Sequence, residues 1–460
     1  MKKLFFPLFL LLLAGSFTAS CSDTGVPSVD EPTVVPPADD KDDDKDDDKD
    51  DDKDDPTDPT PATARLTRLT VEGRYLKDAT GKVVNLHGFT QTYQPYFNDN
   101  AWNNYDVAAC LSYNQRMVDG IVAAGWKMNF VRMHLDPYWS DDASKPFVRY
   151  EGHERFSEER FRKYLDEVFI PMAEYFIDKG FYVVMRPPGV CPGEVKNETT
   201  GEVIYQGIAV GDSYHLYLKK VWGIVTSHPK IKNNTDYMFE LANEPVSIKE
   251  YGGNGYAHWT EASWHSCSQF FQEVVDVIRD GGCTENILWV PGLCWQMQYN
   301  GYAKNKWPLK GDNIGFAVHC YPGWYGSDSE GETGEGGSEA DGSDSNGYTS
   351  FKQGWDNNVG CVAKDYPIMV TEIDWAPKKY GKTWGKGITG EAGGRGFGAN
   401  FKKIADESGN VSWLFFTTCS PDLVNFKDVP GTEGNYTFLN DPEACPWAMY
   451  HWFREYAEAQ

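Results

Sequence analysis

The residues of this 460-residue chain whose types could break a covalent bond stand at the ends of apolar runs. Val131-Arg132-Met133-His134, Ala242-Asn243-Glu244-Pro245, His319-Cys320-Tyr321 and Thr371-Glu372 each bring a polar or ionisable group to such an end. One glutamate so placed is ordinarily just solvated. Two of them, with Arg, His and Tyr in the same positions, form a set. Glu244 and Glu372 have the chemistry that cleavage of a glycosidic bond needs. One carboxyl gives a proton to the leaving oxygen, and the other, ionised, attacks or activates water. Their surroundings must then push the two pKa values apart. Arg132 suits an ion pair with the ionised member, and Tyr321 a hydrogen bond that keeps it in line. Asn243 carries an acceptor and donors suited to a sugar 2-hydroxyl, and Trp413 a flat face suited to a pyranose ring. His87 and His134 point towards the same end of these runs in this register, where lining the site and packing beneath it are both open readings.

These groups need a scaffold that gathers strand ends. Apolar runs at Val83–His87, Met128–Met133, Phe181–Met185, Met238–Ala242, Ile287–Val290, Ile314–His319, Ile368–Thr371 and Ser412–Phe416 read as strands. Amphipathic patterns between them read as helices: Val107–Ala124, Glu159–Lys179, Ser213–Thr226, Glu261–Asp280, Phe397–Asp406 and Pro446–Ala457. Strands apolar on both faces and alternating with helices imply a parallel sheet covered by helices. Eight such units in this length fit an α/β (β/α)₈ TIM barrel, whose reactive residues lie at the C-terminal strand ends. An open doubly wound sheet would call for a Gly-rich phosphate loop after the first strand, and none is present. A short N-terminal β-hairpin is expected over 66–84, with Leu69–Val71 and Val83–Val84 flanking Asp78-Ala79-Thr80-Gly81.

The net charge of -25 excludes a nucleic-acid binder that neutralises phosphates. Most of that charge is local. Residues 39–55 hold thirteen Asp and four Lys, and residues 327–346 hold seven acids and no base. The second stretch reads as a solvated insertion, because it lacks the ordered alternation of a calcium loop.

At the N-terminus, Lys2 and Lys3 precede the apolar run Leu4–Leu13, which is too short to span a membrane and reads as an export signal. Ala19-Ser20-Cys21 resembles a bacterial lipoprotein box, with Thr18 where that box commonly has Leu. The resemblance implies that residues 1–21 are a lipoprotein signal ending at a lipidated Cys21, with ordinary cleavage nearby as the alternative. Residues 22–63, of Asp, Lys, Pro and Thr, cannot bury enough surface to order and read as a linker. Residues 64–460 are then the catalytic domain.

Taken in order, Arg132, Asn243-Glu244-Pro245, His319-Cys320-Tyr321, Glu372 and Trp413 resemble glycoside hydrolase family 5, the cellulase family of retaining (β/α)₈ enzymes. The resemblance covers nearly all of residues 64–460. It implies that Glu244 is the acid/base and Glu372 the nucleophile. His319 and Tyr321 would line the reactive subsite, and Trp413 would form its floor. One departure is Met185-Arg186-Pro187, since the family commonly has His at the third strand end; Arg186 either replaces that contact or makes a structural salt bridge. The implied activity is endo-cleavage of a β-linked polysaccharide, β-1,4-glucan first, with mannan, xylan and xyloglucan open.

No cofactor and no metal is called for, and Leu86-His87-Gly88 lacks the His-x-His of a metal-dependent amidohydrolase. A surface glycan-binding lipoprotein without chemistry is the rival from another class. The expected partners are the polysaccharide and a membrane reached through the lipid anchor. The expected state is a monomer, placed on the outer membrane and exposed at the cell surface. Tyr93, Tyr96, Trp102, Trp139, Trp295, Trp324 and Trp375 follow strand ends and either stack on sugars or cover the barrel. Nine cysteines besides Cys21 leave the disulfide pairing open.

Overall fold

The computed structural model describes residues 64–91, 105–123, 125–145, 153, 155–196, 203–321, 323–327, 347–373, 397–415 and 448–459. Residues 1–63, which include Cys21 and the segments expected as signal and linker, lie outside the described residues. So do the acidic stretch from 328, Tyr93, Tyr96, Trp102 and Trp375.

The chain enters through an antiparallel hairpin, β1 (Thr70–Glu72) and β2 (Tyr75–Lys77), closed at Gly73, whose φ of 60° suits a residue without Cβ. A second turn follows at Asp78, whose Oδ1 accepts the N–H groups of Thr80 and Lys82 at 2.8 and 3.0 Å. Val83 then forms only a bridge back to Lys77. The run Val83–Val84 therefore belongs to this cap and not to the first barrel strand.

Eight parallel strands close the barrel: β3 (His87–Gln91), β4 (Phe130–His134), β5 (Tyr182–Arg186), β6 (Tyr237–Glu240), β7 (Leu288–Pro291), β8 (Ile314–Cys320), β9 (Ile368–Ile373) and β10 (Val411–Phe415). The ring closes where Trp413 of β10 pairs with His87 of β3. Helices such as α1 (Val107–Ala123), α2 (Ser213–Ser227), α3 (Glu261–Asp280), α4 (Phe397–Ser408) and α5 (Ala448–Glu458) make the outer layer. Their starts are legible in the sequence. Asp212 caps α2 by accepting the His215 N–H, and Thr260 with Ser263 forms a reciprocal capping box on α3.

Two-residue alternation divides the apolar side chains into two sets. One set fills the barrel: Phe130, Tyr182, Val184, Met238, Trp289, Ala317, Met369 and Leu414, joined below by Leu69 and Leu76 of the hairpin. The other faces the helices. Two glycines make room for the large rings inside. A Cβ on Gly88 would lie 2.5 Å from the Phe130 ring, and one on Gly315 would lie 2.4 Å from Trp289. The floor is thus a packed plug, and the polar residues occupy the layer above it.

Candidate active site

Arg132, in the middle of β4, is fully buried, so its charge must be paired inside the barrel. Its Nε and Nη2 donate to the two oxygens of Glu240 at 2.6 and 3.1 Å. Nη1 donates to Glu372 Oε1 at 2.7 Å, and Nη2 also to Asn243 Oδ1 at 2.7 Å. Thr371 Oγ1 donates to Glu240 at 2.8 Å, and the Tyr321 hydroxyl to the second oxygen of Glu372 at 2.5 Å. His319 Nδ1 stands 3.0 Å from Glu244 Oε1 and 3.4 Å from Glu372 Oε2.

Two cations therefore answer two buried carboxylates. Burial alone would raise the Glu372 carboxyl, but the charges of His319 and Arg132 and the bonds from Tyr321 and Arg132 hold it below its ordinary value. Glu240 follows the same logic: burial opposes ionisation, and Arg132 with His319 pulls its pKa well down. Burial would likewise depress the His319 imidazolium, yet Glu372, Glu240 and Glu244 lift it to about 9. Glu372 is thus kept anionic although it is buried. Glu244 lies at the rim, its side chain 22% exposed.

A register shift puts Glu372 there. Val318 of β8 pairs with Val370, but the next residue, His319, pairs with Glu372, so Thr371 is the extra residue of a bulge. Without it, alternation would turn Glu372 outward. With it, Thr371 and Glu372 both reach inside, and Ile373 returns to the helix-facing core.

The structure brings Arg132, Asn243, Glu244, His319, Tyr321 and Glu372 into one cluster. His134 also points into the mouth. Its Nδ1 is 3.3 Å from Arg186 Nη2, and burial, Arg186 and Arg132 keep its pKa well below the ordinary value. Arg186 donates to the Pro187 and Gly189 carbonyls at 3.0 and 2.6 Å, so it secures its own loop and makes no carboxylate ion pair among the described residues.

Two expected residues stand elsewhere. β3 begins at His87 and does not end there, so this imidazole lies at the foot of the barrel wall, on its outer side. It stacks on Tyr456 at 4.1 Å, and burial with Lys402 nearby pushes its pKa down to about 3. Trp413, its partner in the register, faces outward too. Its ring is fully buried against Phe401, Trp452 and Phe453 of the helical layer, so it is no floor for a sugar. The physical reason is phase: in a parallel barrel, alternate residues face the helices.

Of the aromatics after strand ends, Trp139 is buried against Tyr164, Trp324 leans on Tyr321 at 4.9 Å, and Trp295 is 45% exposed. Six cysteines, Cys191, Cys267, Cys283, Cys294, Cys320 and Cys361, are free thiols among the described residues, and Cys110 is buried.

Glu240 is not among the residues expected from the sequence, although a glutamate within Tyr-Met-Phe-Glu-Leu-Ala is itself a signal. A charge inside a run buried on both faces must find a partner. Glu244, His319 and Glu372 present ligand-type atoms within 4.8 Å of one another, a spacing that a cation could use. The Arg132 guanidinium beside them, with His319 protonated, makes that spot electrostatically poor for one.

Two glutamates facing each other across the mouth of a (β/α)₈ barrel, one of them clamped as an anion, define a carboxylate-pair site. The cellulase model, glycosyl hydrolase family 5, matches residues 78–386, and the chain belongs to that family. An endoglucanase of Bacillus sp. (strain KSM-635) is 24% identical over 207 residues, 40% of this chain and 21% of that protein. Endoglucanase C of Evansella cellulosilytica is 30% identical over 128 residues, 28% of this chain and 15% of that protein. The chain thus aligns with about a fifth or less of the length of these relatives. Among solved structures, the β-glucanase of Saccharophagus degradans matches 88% of this chain and 98% of its own, with a TM-score of 0.51 and 17% identity. That β-glucanase has also been solved with cellotetraose.

Proposed function

We propose that the chain is a retaining endo-β-glycanase whose first substrate is β-1,4-glucan. The observation that carries this reading is the approach of a Glu244 oxygen to within 4.8 Å of a Glu372 oxygen. That spacing goes with the roughly 5–5.5 Å between carboxyl groups in double displacement, and not with the roughly 6.5–9.5 Å that admits a water for inversion. Glu372, ionised by Arg132 and Tyr321, attacks the anomeric carbon as Glu244 gives its proton to the departing oxygen. Glu244, now a base, takes a proton from the water that frees the sugar from Glu372.

The choice of glucan is supported by the endoglucanases among the relatives. A reducing-end assay over β-glucan, mannan, xylan and xyloglucan tests it, with β-glucan expected to be cut fastest. NMR of the first-formed product tests the mechanism: the β-anomer is expected, and α-anomer first would overturn it. Failure to cut any of the four would favour a glycan-binding lipoprotein. The reading extends to the N-terminus. A lipidated Cys21 anchors the protein to the outer membrane, residues 22–63 space the barrel from it, and the barrel works as a monomer at the cell surface. The basic, apolar and small-residue order of residues 2–21 supports the anchor.

A further inference from the structure

After β7 the backbone does something that side-chain chemistry alone would not require. Cys294, Trp295 and Gln296 have φ of 54°, 55° and 59°, three successive non-glycine residues in the left-handed region. Each is disfavoured because Cβ crowds the following carbonyl oxygen. Such strain persists only where the surroundings over-determine it, and it concentrates at functional sites.

What holds the turn is the segment that follows Glu244. The Cys294 N–H donates to the Val246 carbonyl at 2.9 Å, and the Trp295 N–H to the Pro245 carbonyl at 3.0 Å. What the turn delivers is the Gln296 side chain, aimed back into the barrel and fully buried. Its Oε1 accepts the backbone N–H of Glu244 at 2.7 Å. Its Nε2 donates to Glu240 Oε1 at 3.2 Å and to the Ala317 carbonyl at 3.3 Å. Glu244 is itself left-handed, with φ of 56°.

We propose that Gln296 is the positioning residue of the acid/base. It fixes the backbone of Glu244 to the same buried network that holds Glu372. An unbroken path runs from the Glu244 amide through Gln296, Glu240 and Arg132 to Glu372. The separation of the two carboxyl groups is set by that path, and not by Glu244's rotamer alone. This inference rests on the retaining reading above, with Glu244 as proton donor.

The test uses the full chain and a series of aryl β-glycosides of whichever sugar the polysaccharide assay selects, from dinitrophenyl to phenyl. Gln296→Met keeps the length and loses every side-chain hydrogen bond. For it, kcat/KM is expected to fall on the order of 100-fold with the phenyl glycoside and less than about 3-fold with the dinitrophenyl one, because only a poor leaving group needs the proton. Gln296→Asn keeps the amide but stops about 1.5 Å short. It should show the same pattern at smaller amplitude, and it carries the test if the Met variant does not fold. Equal loss across the series would make Gln296 a structural tie only and overturn the proposal. Glu244→Ala is measured in parallel. A leaving-group dependence there with none in the Gln296 variants defeats only the present inference, whereas no dependence in Glu244→Ala defeats the reading on which it rests.

Discussion

Arg132 is bound more fully to Glu240 than to Glu372: two guanidinium nitrogens meet both oxygens of the former, and a single nitrogen meets the latter. Glu240 thus takes up the guanidinium and leaves one arm to steady Glu372. Glu240→Gln should therefore lower stability by about 3–5 kcal/mol, the cost of breaking one partner out of a buried ionic network. Urea unfolding measures this, and an unchanged midpoint would show that Glu240 bears no such load.

Glu244 and Glu372 should separate by leaving group. Glu372→Ala should lose turnover with every substrate, while Glu244→Ala should lose about 10²–10⁴-fold only where the leaving group needs a proton. Azide should rescue Glu244→Ala with retention and Glu372→Ala with inversion. The opposite stereochemistry would exchange the two roles.

Stability should fall as the medium turns alkaline, with His319 as the cause. Its folded pKa of about 9 lies above the unfolded value near 6.5, so its stabilisation is complete below about pH 6.5 and is lost as pH rises through 9. The loss is on the order of 3 kcal/mol. Urea midpoints between pH 6 and 10 should show this slope in the native protein and a flatter one in His319→Gln. Equal slopes would remove His319 as the titrating group.

Trp413→Ala should act on folding and not on substrate. Its ring fills the seam between β10 and the outer helices, so its removal should cost about 3–5 kcal/mol. The KM for polysaccharide should stay within about twofold of native. A large rise in KM with full stability would return this ring to the site.

Cys21→Ser should move the protein from the membrane fraction to the soluble one without changing its specific activity. Unaltered partitioning would end the lipoprotein reading.

The barrel is legible in the sequence because most strands are apolar runs, and helices such as Ser213–Ser227 and Glu261–Asp280 show both their period and their cap. The phase of the strands is harder to read. Val83–His87 satisfies every local rule for a strand, yet Asp78 and Thr80 turn Val83 back onto Lys77, and the barrel begins at His87. That four-residue displacement puts His87 at the foot of the wall. Glu372 was reachable from its strand-end position, but the bulge that turns it inward depends on β8, a neighbour that ends at Cys320, far from Glu372 in the chain. Gln296 carries no local mark at all, since its direction comes from a left-handed turn tied to the segment that follows Glu244.

The bulge at Thr371 also bears on how this protein can be recombined. Since the offset exists only in the pairing of β8 with β9, the two strands form one heritable block. A chimera that joins this β9 to a relative's β8 must match that one-residue offset, or Glu372 will face the helices in an otherwise intact barrel. Crossovers between β7 and β8, or after β9, leave the offset whole, and those are the seams at which segments from other family members can be exchanged.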